Sequence, residues 1–276
     1  MKEHISHDFS KMGGFILNIV LDTGVLKYRG IGGIKILKKF FYSFFRGLGY
    51  FITIDEGAMD LDIADKKYYA PTFMPWIKDG YGDFGSYSKC IKNHTVVSPD
   101  RQYTLFTLAK QAIHIDGDWV ECGVYKGGTA ILLAKIMKGA TLHLFDTFSG
   151  MPATNSDIDI MQEGTFSDCS FDEVKKVISE VCTNVKYYKG VIPNTFNDCD
   201  IDKIAIAHVD VDLFESAIDC CKFIYPRLSA GGFIVFDDYG FADCPGVKKA
   251  VDEFFEDKPE VPLVLQTGQA IIVKVV

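Results

Sequence analysis

From Ser98 to the C-terminus, short apolar runs alternate with stretches whose apolar residues recur at helical spacing. The runs Trp119–Cys122, Leu142–Phe145, Val185–Tyr188, Ile204–Val209, Phe233–Phe236 and Ala270–Val275 are short and bounded by turn residues, which predicts strands. The intervening stretches Gly128–Met137, Ser170–Glu180, Phe214–Tyr225 and Gly246–Phe255 predict helices. Ser98-Pro99-Asp100 reads as a further helix start, followed by Tyr103, Leu105, Phe106, Leu108, Ala109 and Ala112. Ser170 with Glu173 forms a capping box, which fixes one start more closely. Strands alternating with helices imply an α/β fold, a mostly parallel sheet with helices on both faces.

The first 95 residues follow another pattern. Between Thr23 and Ile54 there is no acid, but there are Lys27, Arg29, Lys35, Lys38, Lys39 and Arg46. Ile34, Leu37, Phe41, Phe44, Phe45 and Leu48 recur at helical spacing, so residues 31–50 predict an amphipathic helix with a basic face, ended near Gly47 and Gly49. It is too interrupted by charge to span a bilayer. Three roles fit it: packing on the main domain, a homo-oligomer interface, or peripheral contact with an anionic membrane surface. Tyr68–Tyr87, rich in aromatics, Pro and Gly, reads as an ordered loop or lid. The expected organisation is a mainly helical extension over 1–95 and a catalytic-type domain over 96–276.

Charge sharpens that division. Residues 1–54 hold eight Lys and Arg against three Asp and Glu, net +5; of the chain totals of 29 and 37, the remainder holds 21 and 34, net −13. An acidic body leaves no broad basic face for phosphates, so no nucleic-acid partner is expected. Hydrophobic residues make up 48% of the 276 residues, enough for a substantial core. None of the eight cysteines forms a C-x-x-C pair, and no apolar leader follows Met1. A cytoplasmic protein with reduced thiols is the expectation. Cys220-Cys221, on a predicted helix, reads as packing.

Chemistry concentrates at the strand ends. Ala207-His208-Val209-Asp210-Val211-Asp212 closes one apolar run and Phe236-Asp237-Asp238-Tyr239 closes another. Ligands of open parallel sheets bind beyond the carboxyl ends of the strands. Carboxylates gathered there point to a hard divalent cation such as Mg²⁺, although Asp also serves as a helix cap and turn former. His208, inside its strand, reads as a buried structural group. After the first strand of this region comes Glu121-Cys122-Gly123-Val124-Tyr125-Lys126-Gly127-Gly128-Thr129. This Gly-rich loop is neither G-x-G-x-x-G nor a P-loop. Its leading carboxylate would repel a pyrophosphate and suits a ligand with a cationic end, such as S-adenosylmethionine. Asp146-Thr147 ends the next strand, and Asp146 follows Gly123 at about the spacing (~20 residues) at which an acid meets ribose hydroxyls.

These motifs, with Phe145-Asp146-Thr147-Phe148-Ser149-Gly150-Met151-Pro152, Leu213-Phe214-Glu215-Ser216 and Tyr225-Pro226-Arg227-Leu228-Ser229-Ala230-Gly231-Gly232-Phe233, make the chain resemble the macrocin O-methyltransferase family over roughly residues 95–276. The resemblance implies a Rossmann-like seven-stranded methyltransferase sheet whose last strand is antiparallel. It implies S-adenosylmethionine- and metal-dependent methylation of a sugar hydroxyl, in a polysaccharide or glycosylated natural product. Carried over, it assigns Glu121, Gly123, Tyr125, Gly127, Gly128, Thr129, Asp146, Thr147, Gly190 and Asp210 to the cofactor. Asp210, Asp237 and Asp238 would hold the metal, and Asp212 would act as general base. A small-molecule or glycan acceptor is the expected partner. A metal-dependent hydroxylase or hydrolase on a similar sheet is the alternative.

Overall fold

The computed structural model describes residues 83–275 and the backbone of three short N-terminal strands. The chain divides into two compact units, Met1–Thr72 and Phe73–Val276. In the first, β1 (Leu21–Asp22) pairs antiparallel with β2 (Val25–Tyr28), and β2 pairs parallel with β3 (Phe51–Ile54). The sequence reading expected none of these strands; the β-branched and aromatic residues of Phe51-Ile52-Thr53-Ile54 favour them. The helix expected over 31–50 lies outside the described residues.

The first described element of the second unit is helix α1 (Phe84–Ile91), which corrects the end of the loop expected over Tyr68–Tyr87. Phe84 and Ile91 are buried against Leu105 and Phe106, so α1 packs into the main core ahead of position 96. Then follow α2 (Pro99–Ala112), β4 (Asp118–Cys122), α3 (Gly128–Ile136), β5 (Leu142–Asp146), α4 (Phe171–Ser179), β6 (Val185–Lys189), β7 (Ile204–Val209), α5 (Phe214–Ile224), β8 (Leu228–Phe236), α6 (Pro245–Phe255), β9 (Leu263–Val264) and β10 (Ala270–Val273). Among the described residues these strands form one seven-stranded sheet, ordered β6-β5-β4-β7-β8-β10-β9. β6 through β8 run parallel, while β10 is antiparallel to both β8 and β9. The sequence reading missed β9, a two-residue exposed edge strand with no buried face to mark it.

Each residue of β7 is buried, as expected of a central strand covered on both faces. Alternation sends β4 side chains to opposite layers. Trp119 packs with the helices α1–α4, and Val120 with α5 and α6. Along β7 the alternation is broken: Ala205 and Ile206 both pack on the α1–α4 layer, where the pairing of Ile204 and Ile206 with β8 shifts register. A bulge of this kind re-aims every later side chain of its strand. As a result His208 points to the same face as Glu121, its register partner on β4.

Helix α4 begins where the capping box placed it: the Ser170 side chain accepts from the Glu173 amide at 3.3 Å. Ser170→Ala should cost about 1 kcal/mol. Thermal melting should therefore fall by about 2–4 °C. An unchanged melting temperature would show that the cap contributes nothing.

Candidate functional site

The sheet order reverses between β4 and β7, and the crevice at that switch point is the cleft. Two backbone bonds fix its floor. The Gly123 amide donates to the Phe145 carbonyl at 2.9 Å, and the Asp210 amide to the Cys122 carbonyl at 2.9 Å. Gly123 is left-handed, with φ +82°, and a Cβ there would lie 1.8 Å from the Asp210 carbonyl oxygen. Only glycine fits so close a crossing. The cleft holds about 270 Å³. Gly123, Tyr125, Thr129, Asp146, Thr147 and Gly190 line one side, and Asp210, Asp212, Asp238 and Cys244 the other.

Asp146 shapes the loop side. Its Oδ2 accepts from the amides of Val124 (2.6 Å) and Tyr125 (2.9 Å), and its Oδ1 from the Phe148 amide (2.6 Å). Tyr125 and Phe148 are both left-handed, at φ +50° and +51°. Such residues cost on the order of 1–3 kcal/mol and persist only when the surroundings hold them. Three amides thus pin two strained turns on one carboxylate. A carboxylate has about four acceptor positions; the Thr147 hydroxyl also lies 3.4 Å from Oδ1 but donates more closely to the Gly150 carbonyl at 2.5 Å, so one position remains for the expected ribose contact. Across the loop, the Tyr125 hydroxyl donates to Asp168 at 2.8 Å, Lys126 pairs with the same carboxylate at 2.5 Å, and the Tyr125 ring meets Phe166 edge-on at 5.2 Å.

Three residues expected at the cofactor do not line the cleft. A Cβ on Gly127 would press on Ile178 and Val174 at 3.1–3.2 Å, so this glycine permits close packing on α4. The Gly128 amide donates to the His94 carbonyl at 2.8 Å, and a Cβ there would come within 2.6 Å of His94 and Thr95. Glu121 is fully buried beneath the loop. In exchange, His94, Thr95, Val96, Val97 and Arg101 do line the cleft. Sequence reasoning missed them; the glycine pair that admits their backbone was the one available signal.

Behind the cleft lies a buried charge network. Glu121 Oε1 pairs with His208 Nδ1 at 2.9 Å, and His208 Nε2 faces Asp237 Oδ1 at 3.5 Å. Gln269 Nε2 donates to Asp237 Oδ1 at 2.7 Å, and the Arg101 guanidinium pairs with Asp237 Oδ2. Burial alone would lower the His208 pKa, but Asp237 and Glu121 outweigh it and hold the ring protonated well above its ordinary value. Burial alone would raise Asp237, but His208 and Arg101 keep it below the ordinary carboxylate range. Removing one partner of such a buried pair typically costs about 3–5 kcal/mol.

The cleft aspartates get only partial relief: Arg101 lowers Asp210 and Asp238 without overcoming burial and their neighbours' charges. Asp210 is pushed well above the ordinary range by burial and by the charges of Asp238 and Asp237. Asp238 is pushed up by burial and by Asp212 and Asp237, and it also meets the Asp210 side chain directly. Asp212 is pushed up to about 7 by burial and the Asp210 charge. Asp212 is left-handed, at φ +59°; its amide faces Asp238 Oδ2 at 3.3 Å, and the Cys244 thiol donates to its Oδ1 at 3.3 Å. Among the described residues, donor atoms gather within 4.8 Å in two sets, His208/Asp210/Asp237 and Asp212/Asp238/Cys244. In the first, both ring nitrogens of His208 already face partners, whereas Asp210 and the Oδ2 of Asp237, which holds Arg101 alone, keep lone pairs for an ion. Asp210 and Asp238 are hard oxygen donors whose mutual repulsion a cation would relieve, and they fit a divalent ion.

A family model described as Macrocin-O-methyltransferase (TylF) matches residues 91–264. The chain is 29% identical over 178 residues to demethyldecarbamoylnovobiocin O-methyltransferase of Streptomyces niveus, covering 58% of this chain and 67% of that one. It is 28% identical over 170 residues to 8-demethyl-8-(2,3-dimethoxy-alpha-L-rhamnosyl)-tetracenomycin-C 4'-O-methyltransferase of Streptomyces olivaceus, covering 55% of this chain and 64% of that one. It thus spans about two thirds of the length of these curated relatives. Among solved structures, the O-methyltransferase NovP superposes with a TM-score of 0.61 at 26% identity, over 66% of this chain and 83% of that one. The calicheamicin methyltransferase CalS11 shares the fold, with a TM-score of 0.53 at 17% identity, over 75% of this chain and 98% of that one.

Asp146→Ala should free three amides and let both turns relax. Each lost charge-assisted bond is worth about 1.5–3 kcal/mol, so local opening should rise by at least about tenfold. Hydrogen–deuterium exchange at Val124, Tyr125 and Phe148 reads this directly. Exchange as slow as in the parent protein would refute the latch.

Proposed function

Because the chain belongs to the macrocin O-methyltransferase family, whose match covers residues 91–264, we propose that it transfers the methyl group of S-adenosylmethionine to a hydroxyl of a sugar, with a divalent cation, Mg²⁺, at Asp210, Asp237 and Asp238. The enzyme is an O-methyltransferase, and this sets aside the hydroxylase and hydrolase reading of the same carboxylates. The curated relatives carry names that place their methyl group on natural products. By analogy the acceptor is a glycosylated natural product or a polysaccharide.

The observation that carries this reading is the division of the cleft. Gly123, Tyr125, Thr129 and Asp146 line the cleft beyond β4 and β5, and Asp210, Asp212 and Asp238 line it beyond β7 and β8. The loop wall suits the cofactor. Thr129, at the start of α3, offers a hydroxyl at a helix N-terminus, where the methionine carboxylate would be favoured. Asp146 has an acceptor position left for a ribose hydroxyl. On the acid wall Asp212 takes the proton of the acceptor hydroxyl on a carboxylate oxygen. The freed oxygen bonds the methyl carbon as the carbon–sulfur bond breaks, and the sulfonium becomes a neutral thioether. Burial makes Asp212 a stronger base than an ordinary aspartate. A divalent ion, when bound, favours the alkoxide form of a ligated hydroxyl. Asp210, Asp237 and Asp238 would hold it, while Val97 and Phe241 help to exclude water.

No described helix is long and apolar enough to cross a membrane. The reading places the enzyme in the cytoplasm, acting on a small-molecule or glycan acceptor. Residues 31–50 supply an oligomer interface or a peripheral membrane contact.

Asp212→Asn keeps the shape but removes the base. The turnover number should fall about 10²–10⁴-fold, the usual worth of a positioned base, while S-adenosylmethionine affinity by calorimetry stays unchanged. Chelation with EDTA should abolish turnover, and added Mg²⁺ should restore it. Full turnover in the variant, or in chelated enzyme, would remove the base or the metal from the proposal.

A further inference from the structure

Between β5 and α4 the chain makes a long excursion and returns to the cleft. Backbone bonds pin the return. The Met151 amide donates to the Thr165 carbonyl at 2.8 Å, and the Gly164 amide to the Met151 carbonyl at 3.0 Å. Gly150 permits this approach: it is left-handed at φ +94°, and a Cβ there would lie 2.9 Å from the Gly164 carbonyl oxygen and 3.0 Å from that of Thr165. The turn so formed carries Phe166, itself left-handed at φ +61°. A bulky residue in that region is strained and persists only where its surroundings or a function hold it. Core packing does not supply the reason. The residue is half-buried, and neither apolar cluster on the faces of the sheet includes it. Its ring meets Tyr125 edge-on at 5.2 Å, and both residues line the cleft, as does Cys169. The Cys169 thiol donates to the Phe166 carbonyl at 3.5 Å and lies close enough to Asp146 to feel its charge. Asp168 does not line the cleft; it accepts from the Tyr125 hydroxyl at 2.8 Å and pairs with Lys126 at 2.5 Å, which fastens the turn to the Gly-rich loop.

We propose that Phe166 is a cofactor-binding residue, whose ring packs on the adenosine half of S-adenosylmethionine. The inference rests on the cofactor reading above. Phe166 shares its turn with Cys169, beside the Asp146 carboxylate where ribose hydroxyls are expected, so the ring meets the adenosine and not the methionine end. An aromatic ring suits that neighbour, because a purine offers a π-face and needs no hydrogen-bond match. The left-handed backbone then has a use: it aims into the cleft a ring that neither core holds.

Titration calorimetry of the full-length protein with S-adenosylmethionine and with S-adenosylhomocysteine tests this. Phe166→Ala and Phe166→Gly both remove the ring, but only glycine suits φ +61°. Each variant should weaken binding by about fivefold or more, the worth of one aromatic–base contact. The two ligands should lose the same factor, because they share the adenosine. Phe166→Gly should melt higher than Phe166→Ala, so that affinity follows the ring while stability follows the backbone. Phe166→Tyr keeps the ring and should bind within about twofold of wild type. Wild-type affinity in a folded ringless variant overturns the proposal and leaves Phe166 as a turn residue. A loss confined to S-adenosylmethionine would put the ring at the sulfonium and overturns the adenosine assignment. If the ringless variants do not fold, a crystal structure of wild type with S-adenosylhomocysteine decides. A ring within about 4.5 Å of the adenosine supports the proposal, and a ring turned away from it overturns it. Wild type that binds neither ligand removes the cofactor reading and this inference together. Wild-type binding that ignores the ring removes this inference alone.

Discussion

The pairing of β4 with β7 sets Cys122 against Val209 and lets the Asp210 amide donate to the Cys122 carbonyl. At that crossing Gly123 lies beneath the Asp210 backbone with no room for a Cβ. The loop that suits a cofactor and the strand end that carries the acids are therefore held by backbone, not by side chains. Both walls of the cleft follow from this contact. β5 closes the loop wall through Asp146, and β8 adds Asp238 to the acid wall.

Charge is divided by depth. In the buried layer, Glu121, His208, Asp237 and Arg101 alternate in sign, and each carboxylate meets a cation. In the cleft, three aspartates crowd together with no cationic side chain paired to them among the described residues. Desolvation and mutual repulsion push all three above the ordinary range. Like charges are tolerated so close together only where a proton, a cation or a reaction uses them. The buried layer is neutralised by pairing, and the cleft layer is not.

The glycines show how one sequence motif serves several purposes. Gly123 admits the Asp210 carbonyl, Gly127 admits α4, and Gly128 admits the His94–Thr95 backbone. None of these roles requires a ligand. The loop reads as nucleotide-like because tight turns and close approach need the same residue. Tyr125 and Phe148 take left-handed conformations without being glycine, and the Asp146 carboxylate holds them there.

Periodicity alone determined most of the sheet and helices, because burial on both faces leaves continuous apolar runs and one-sided burial leaves helical stripes. It placed the Ser170 cap, the Gly123 turn and the acidic strand ends, whose residue types are local demands of turn and charge. The motifs at the loop and strand ends carried the family resemblance, which the match over residues 91–264 bears out. Tertiary structure alone decided which neighbours face each other. The register shift in β7 aims His208 at Glu121, and the turn after β8 parts Asp237, on Arg101, from Asp238, which lines the cleft. The close approach of residues 94–97 and Arg101, far from the motifs in sequence, completes the cleft. A sequence states which groups exist and how often they recur. Bulges, crossings and pairings between distant strands set their directions, and those depend on contacts that no local pattern encodes.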